Sequence, residues 1–309
     1  MTNGSVKTFK SKAFGFDQPT QLPRDAAEHE RWQTANRAWW EAAPMRYDWR
    51  AELDERVGTK AYFQEIDRRF IESAKGYLSS RRIPFDDLIP FAELGDKNVL
   101  EIGVGHGTHA QLLAPHCRSF VGIDLTRTAA AMTAKRFALF GMPGSVLQMD
   151  AERLAFADAS FDYIWSWGVI HHSADTRRVL VEMHRVLRPG GGCTLMVYYR
   201  SWWNYYVSGF LRRAFLALRR GIHQASASNT DGAIARYYTP MEWRALTKDL
   251  FVSRSIRIYG MKSDLVLLPY GRLKRAVMTI LPNSLARFMT GRLRMGSFLV
   301  ATMDKPKRQ

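Results

Sequence analysis

The chain has 309 residues, 46% of them hydrophobic and 12% aromatic, a globular composition with a sizeable core that excludes a disordered or fibrous protein. No apolar run approaches the roughly 20 residues that a spanning helix needs, and the two cysteines, Cys117 and Cys193, fit neither a disulfide framework nor a metal-ligand spacing. The net charge of +16 is unevenly placed: residues 1–200 carry 26 Lys+Arg against 24 Asp+Glu, whereas residues 201–309 carry 19 against 5.

Residues 1–30 are polar and aperiodic and read as a flexible N-terminus. They contain lysines but no apolar core of a signal peptide, so a cytoplasmic protein is expected. Residues 31–95 read as a helical lid or lead-in. Four of the nine tryptophans fall between Arg31 and Arg50, a density that suits packing or a lid over a ligand. Between Thr59 and Leu78, Phe63, Ile66, Phe70, Ala74 and Tyr77 keep helical spacing. From residue 98 the pattern alternates. Strands are predicted at Asn98–Ile102, Phe120–Asp124, Ser145–Met149, Asp162–Trp165 and Cys193–Tyr199, with helices at Thr108–Pro115, Thr126–Leu139 and Asp175–Leu187 between them. Two late strands are predicted at Val252–Tyr259 and Gly296–Met303. Such alternation predicts a parallel α/β sheet covered on both faces, with the ligand beyond the carboxyl ends of the strands. Residues 96–200 are the expected binding core, and 201–309 hold cap helices plus the last core strands.

The first strand runs into "VLEIGVGHGTH", residues Val99 to His109, with glycines at 103, 105 and 107. A dinucleotide fingerprint would place its third glycine at Thr108, and no G-K-[ST] follows, so a P-loop is excluded. Glu101, two residues before the first glycine, would oppose a pyrophosphate and suit a cation. An ammonium and a sulfonium occur together in S-adenosylmethionine (SAM). Asp124, ending the second strand, can accept hydrogen bonds from both ribose hydroxyls. Asp150, ending the third, can accept an adenine amine while the Ala151 N–H serves the ring; the alternative role for Asp150 is a helix cap.

Five stretches, "VLEIGVGHGTH", "GIDLT", "MDAERLAFADASFD", "IWSWGVIHHSADTRRVLVEMHRVLRPGG" and "YYTPMEWRALTKDLF", together resemble the class I SAM-dependent methyltransferases, and among them the small-molecule enzymes of ubiquinone and menaquinone type. The resemblance covers residues 55–260. It implies a Rossmann-like, seven-stranded, mostly parallel sheet with its last strand, "GSFLVATMDK", inserted antiparallel, together with an N-terminal helical lid and C-terminal helical insertions. It implies SAM as cofactor and S-adenosylhomocysteine as product. Glu101, Gly103, Gly105 and Gly107 would face the methionine end, Asp124 and Leu125 the ribose, and Asp150 and Ala151 the adenine; Ser166 and Trp167 would form the floor. Val104 and His106 depart from the small residues usual between the glycines. Leu211 to Leu218 and Leu273 to Met289 have no counterpart in a minimal domain.

Methyl transfer to a protonated oxygen benefits from a base, whereas a free amine needs none. His171 and His172 follow the fourth strand, where an acceptor would enter, and are the candidate bases; the alternative is that they order the loop. Tyr47, Tyr198, Tyr199 and Tyr238 are candidates for lining the acceptor pocket. The expected acceptor is a small, hydrophobic metabolite methylated on O or N. No metal is expected, because clustered carboxylates beyond those given to the cofactor are missing. Nucleic acid is the less favoured partner: this chain has S-W-G-V where DNA-adenine enzymes of this fold carry N-P-P-Y. Two stretches, "GFLRRAFLALRRGI" and "GRLKRAVMTILPNSLARFMTGRLR", read as amphipathic helices with arginine flanks. They are expected first to cap the acceptor pocket with their apolar faces, with peripheral contact to an anionic membrane or a grip on RNA phosphates as alternatives. The oligomeric state stays open.

Overall fold

The strand β1 (Asn98–Ile102) lies within the sheet that organises the computed structural model, which describes residues 16–47, 53–79, 82–212, 214, 217–218, 221–227, 231–268 and 271–307. It pairs in parallel with β2 (Ser119–Asp124) on one side and β4 (Phe161–Trp167) on the other. β3 (Ser145–Gln148) lies outside β2, and β5 (Leu187–Tyr199) lies outside β4, both parallel. β8 (Phe298–Asp304) inserts antiparallel between β5 and β7 (Val252–Tyr259). The order β3-β2-β1-β4-β5-β8-β7 is the expected seven-strand arrangement. One further strand, β6 (Tyr237–Tyr238), pairs with the end of β5. β5 begins earlier than its apolar run, because backbone pairing to β4 continues, with a register shift, through "RPGGG".

The sheet is apolar on both faces, as burial beneath helices on each side requires. Alternation along β4 sends Ile164 into one core, with Ile102, Leu180 and Trp243, and Tyr163 and Trp165 into the other, with Phe70 and Phe85. The helices α1 (Ala26–Ala42), α2 (Lys60–Ala74), α3 (Thr108–Leu113), α4 (Arg127–Phe140) and α5 (Thr176–Val186) begin where local chemistry predicts. Asp25, Thr59, Thr126 and Asp175 cap α1, α2, α4 and α5 by accepting backbone N–H bonds. α2 buries the stripe Tyr62, Phe63, Ile66, Phe70 and Ala74.

One expectation changes. Within 1–30, Phe16 is buried against Trp32 and α1 starts at Ala26, so this part packs rather than standing apart; residues 1–15 lie outside the described residues. The helix expected over 209–222 is present at its described residues as far as 218, namely α6 (Gly209–Arg212), 214 and 217–218, and it follows a π-helical turn at Trp202–Ser208; residues 213, 215–216 and 219–220 lie outside the described residues. α7 (Ile222–Ala227) and α8 (Pro240–Thr247) flank β6. β7 and β8 are connected through α9 (Lys262–Leu265), α10 (Arg272–Ile280) and α11 (Asn283–Arg287). This excursion leaves and rejoins the sheet at Gly260 and Gly296, whose backbones touch: a Cβ on Gly260 would stand 2.4 Å from the Gly296 Cα.

Candidate active site

At the carboxyl ends of β1 to β5 a cavity of about 280 Å³ opens beneath α1. One side of it is polar. The loop after β1 turns back on itself through Gly103 and Gly105, both at positive φ. A Cβ on Gly103 would sit 2.2 Å from Val169, whereas a Cβ on Gly105 would meet nothing within 4 Å. Gly103 is therefore a packing requirement, and Gly105 leaves room for a ligand. The Gly105 N–H donates to Asp124 Oδ2 (3.1 Å), and the Thr126 N–H and hydroxyl donate to Oδ1 (2.9 and 2.8 Å). Burial raises the Asp124 pKa, and those hydrogen bonds oppose the rise. Asp150 stands at the neighbouring tip. Gln33 on α1 donates to both its oxygens (3.0 and 2.9 Å) and accepts the Ala174 N–H (3.1 Å), stitching the lid to two strand loops.

Glu101 lies at the base of the glycine loop, 2% exposed, and its Oε2 has no hydrogen-bond partner. Desolvation, reinforced by the Asp124 carboxylate, raises its pKa well above the usual carboxyl range, with Arg136 pulling the other way. A buried carboxyl with an idle oxygen is poised for a cation. An acidic residue under an open glycine bend, with acidic tips on the next two strands, fits an adenosyl sulfonium and opposes a pyrophosphate.

The other side of the cavity is apolar. Phe70 from α2, Tyr77 in the turn after it, Trp167 at the end of β4, Met196 and Tyr198 on β5, and Phe298 on β8 form its wall, with Met261 closing it. Tyr47 lines this side as expected. Tyr199 and Tyr238 do not: both belong to the hydrophobic core on the α5 face of the sheet, and Tyr238 packs edge-on to Trp243. The alternation of β5 puts Tyr198 in the cavity and turns Tyr199 away.

The two histidines separate. His172 lines the cavity, and its Nδ1–H donates to the Ile234 carbonyl at 2.5 Å. The carbonyl can only accept, so Nε2 of the neutral ring is the proton acceptor. Desolvation pushes the His172 pKa down to about 4, so the ring is neutral near pH 7. His171 is fully buried, its ring tilted against those of Tyr198 and His172 with centroids 4.0 and 4.1 Å away, outside the cavity lining. Neither of its nitrogens has a hydrogen-bond partner, and burial, then the neighbouring His172 and Arg236, push its pKa well below 6.5. A role for His171 as base is thus at odds with its position.

Of the residues expected to hold the cofactor, Gly103, Gly105, Asp124, Leu125, Asp150, Ala151 and Trp167 line the cavity. Three do not: Glu101 is buried below the glycine loop, Gly107 precedes α3 and packs against Thr133, and Ser166 is buried, donating to the Ile102 carbonyl (3.0 Å). Among the lining residues that the sequence reading did not assign to the site are Gln33, Asn36, His106 and His109. His106 donates through Nδ1 to the Met45 carbonyl (2.8 Å) and accepts from the Tyr62 hydroxyl (3.1 Å), so it fixes the lid rather than filling a phosphate site. His109 sits edge-on among Phe70, Phe85 and Trp165, with its pKa lowered to about 3 by burial. Among the described residues, the amphipathic segments 209–222 and 271–294 contribute no lining residue; α1, α2 and Met261 occupy the place expected of the cap.

The sheet order and the ligand cavity at its switch point define the class of the fold, that of the class I methyltransferases. Residues 100–195, which run from within β1 into β5, match the family model described as "Methyltransferase domain". The phthiotriol/phenolphthiotriol dimycocerosates methyltransferase of Mycobacterium tuberculosis is 41% identical over 101 residues, which is 32% of this chain and 37% of that protein. The fatty-acid O-methyltransferase of Mycolicibacterium smegmatis is 35% identical over 102 residues, 32% of this chain and 36% of that protein. The tRNA U34 carboxymethyltransferase of Methylococcus capsulatus is 34% identical over 106 residues, 34% and 33% of the respective chains. The chain thus matches little more than a third of the length of these relatives. A solved SAM-dependent methyltransferase from Methanosarcina mazei superposes with a TM-score of 0.51 at 20% identity, covering 72% of this chain and 99% of that one; that likeness is one of fold.

Proposed function

We propose that the protein is a SAM-dependent methyltransferase acting on a small, hydrophobic metabolite, with a hydroxyl or carboxyl oxygen as the favoured acceptor atom and an amine nitrogen as the alternative. The observation that carries this is a single cavity with acidic strand tips on one side and an apolar wall on the other. SAM, when bound, supplies a methyl group made electrophilic by its sulfonium. Asp124 and Leu125 would hold the ribose, Asp150 and Ala151 the adenine, and Glu101 with the loop at Gly103 and Gly105 the cationic methionine end. His172 Nε2, kept unprotonated, takes the proton that an oxygen acceptor loses. Trp167, Tyr198 and Tyr47 orient the acceptor, and α1 excludes water above the reacting atoms; such positioning supplies much of the rate. The free thiols Cys117 and Cys193 suit the cytoplasm, where we place the enzyme.

The relatives named for dimycocerosates and for a fatty acid support an apolar acceptor. The relative named for a tRNA, together with the basic last third, supports the alternative of an RNA substrate, against which the apolar wall weighs. Calorimetric titration with SAM and S-adenosylhomocysteine should give one saturable site, and labelled SAM should pass its methyl to long-chain acids, alcohols or phenols rather than to tRNA. Uptake of NADH with no uptake of either sulfur nucleoside would overturn the proposal.

A further inference from the structure

The helix α10 is turned inside out. Its buried residue is Lys274, whose Nζ donates to the Ser263 carbonyl at 3.2 Å. Met278 and Leu281, one and two turns on, share that half-buried face. The apolar residues at i, i+4 and i+7 form a separate stripe that faces water: Leu273, Val277 and Ile280 are 66%, 37% and 79% exposed. After Pro282 the same property continues with Leu285 on α11 and Phe288 in the π-helical turn that follows it, both exposed. The exposed indole of Trp202 is tied to this segment by its Nε1–H donating to the Leu293 carbonyl at 3.1 Å. Water gives no reason to hold large aliphatic side chains outward and a lysine inward.

The charge says what covers the stripe. Between Asp264 and Asp304 the chain has no carboxylate, while Arg272, Lys274, Arg275, Arg287, Arg292 and Arg294 fall within 271–294. A second copy of this chain would bring the same positive segment against itself. RNA would satisfy the arginines but leave Leu273 and Ile280 in water. An anionic bilayer satisfies both, with arginines at the headgroups and aliphatic and aromatic side chains in the acyl boundary.

We infer that the 271–294 segment is a surface that seats the protein on an anionic lipid bilayer. The same segment is joined to the acceptor end of the cavity. The Lys262 Nζ donates to the Met278 carbonyl at 3.1 Å, Lys274 holds Ser263, and Met261, next to both, lines the apolar wall. Docking would therefore set the apolar end of the cavity beside the bilayer, from which a lipophilic acceptor would enter. That last step rests on the methyltransferase reading, whereas the docking itself does not.

The test is flotation of the full chain with phosphatidylglycerol-rich vesicles and with pure phosphatidylcholine vesicles, beside calorimetry with S-adenosylhomocysteine on the same preparations. The chain should float with the anionic vesicles only and release as salt rises. L273D/I280D should weaken flotation by about tenfold or more while leaving thermal melting and nucleoside binding as in the parent; these side chains are exposed, so folding should tolerate the change. R272E/R275E should weaken it through the charge alone. Failure to float, or flotation indifferent to L273D/I280D, overturns the inference. So does a vesicle-independent dimer, or retention of RNA oligonucleotides, that disappears in the same variants. Nucleoside binding without flotation would sink the docking alone; flotation without nucleoside binding would sink the enzyme reading alone.

Discussion

On its polar side the cavity is built by neighbours in sequence. Gly103, Gly105, Asp124 and Asp150 sit on three successive strand tips, each held by the backbone that precedes it. On its apolar side, Phe70, Tyr77, Met196, Met261 and Phe298 arrive from far apart in the chain, and only the packing of α2, β5, β7 and β8 brings them together. The polar side is a local motif repeated along a sheet, and the apolar side is a product of tertiary structure. The first should therefore be sensitive to single backbone changes and the second tolerant, and substitutions can break or sharpen that contrast.

Gly103→Val should have the largest effect. Its φ of +82° and the contact with Val169 predict a loss of about 2–4 kcal/mol of stability, read by denaturant unfolding, and no calorimetric binding of S-adenosylhomocysteine. Gly105→Ala, facing open space at a φ of +54°, should cost only about 1 kcal/mol of stability yet still impair that binding. Equal behaviour of the two would mean that no ligand occupies the bend.

His172→Ala should come next, lowering kcat by about 10²–10⁴-fold with nucleoside affinity retained, whereas His171→Ala should act mainly on stability. The pH profile adds a sharper reading. With the His172 pKa at about 4, activity should persist well below pH 6.5, and an acid limb centred near 6.5 would remove His172 as the base. Stability follows the same ring. The unfolded chain takes up its proton below about pH 6.5, so the contribution is complete above that value, shrinks as pH falls and is lost by about pH 4. It amounts to roughly 3 kcal/mol, measurable as a falling denaturation midpoint.

Gln33→Leu should loosen the lid, because both Asp150 oxygens and the Ala174 N–H lose a partner. A net loss in the bound state equivalent to one such bond, about 1–2 kcal/mol, corresponds to roughly tenfold weaker nucleoside binding in calorimetry. Met261→Ala, on the tolerant side, should raise the acceptor KM about tenfold or less without changing nucleoside affinity. A matching fall in nucleoside affinity would show that the two sides are not separable.

The contrast also marks what could be read from residues alone. β1 and β7 begin and end where the apolar patterns say, and the acidic tips fall in place because strand, turn and helix follow one another at short range. Gln33 and Asn36 were invisible because they sit on a helix of ordinary polar composition; only the docking of α1 places both at the cavity and gives Gln33 its partners. His171 and His172 are adjacent and chemically alike; the Ile234 carbonyl, 62 residues away in sequence, distinguishes them. Tyr199 and Tyr238 were misplaced for the same reason, since the facing of a residue at a strand end depends on which helix covers it. The amphipathic pattern of 271–294 was plain, but the pattern could not say which stripe faces inward.

The contact between Gly260 and Gly296 has a consequence for how such a chain can vary. Because the two ends of the 261–295 excursion meet backbone to backbone, the strands that flank it are already closed as a hairpin and do not depend on what lies between. That stretch can be shortened, lengthened or exchanged as a cassette, changing what the protein rests against and the Met261 part of the apolar wall, while the glycine bend and the acidic tips after β1 to β3 stay as they are.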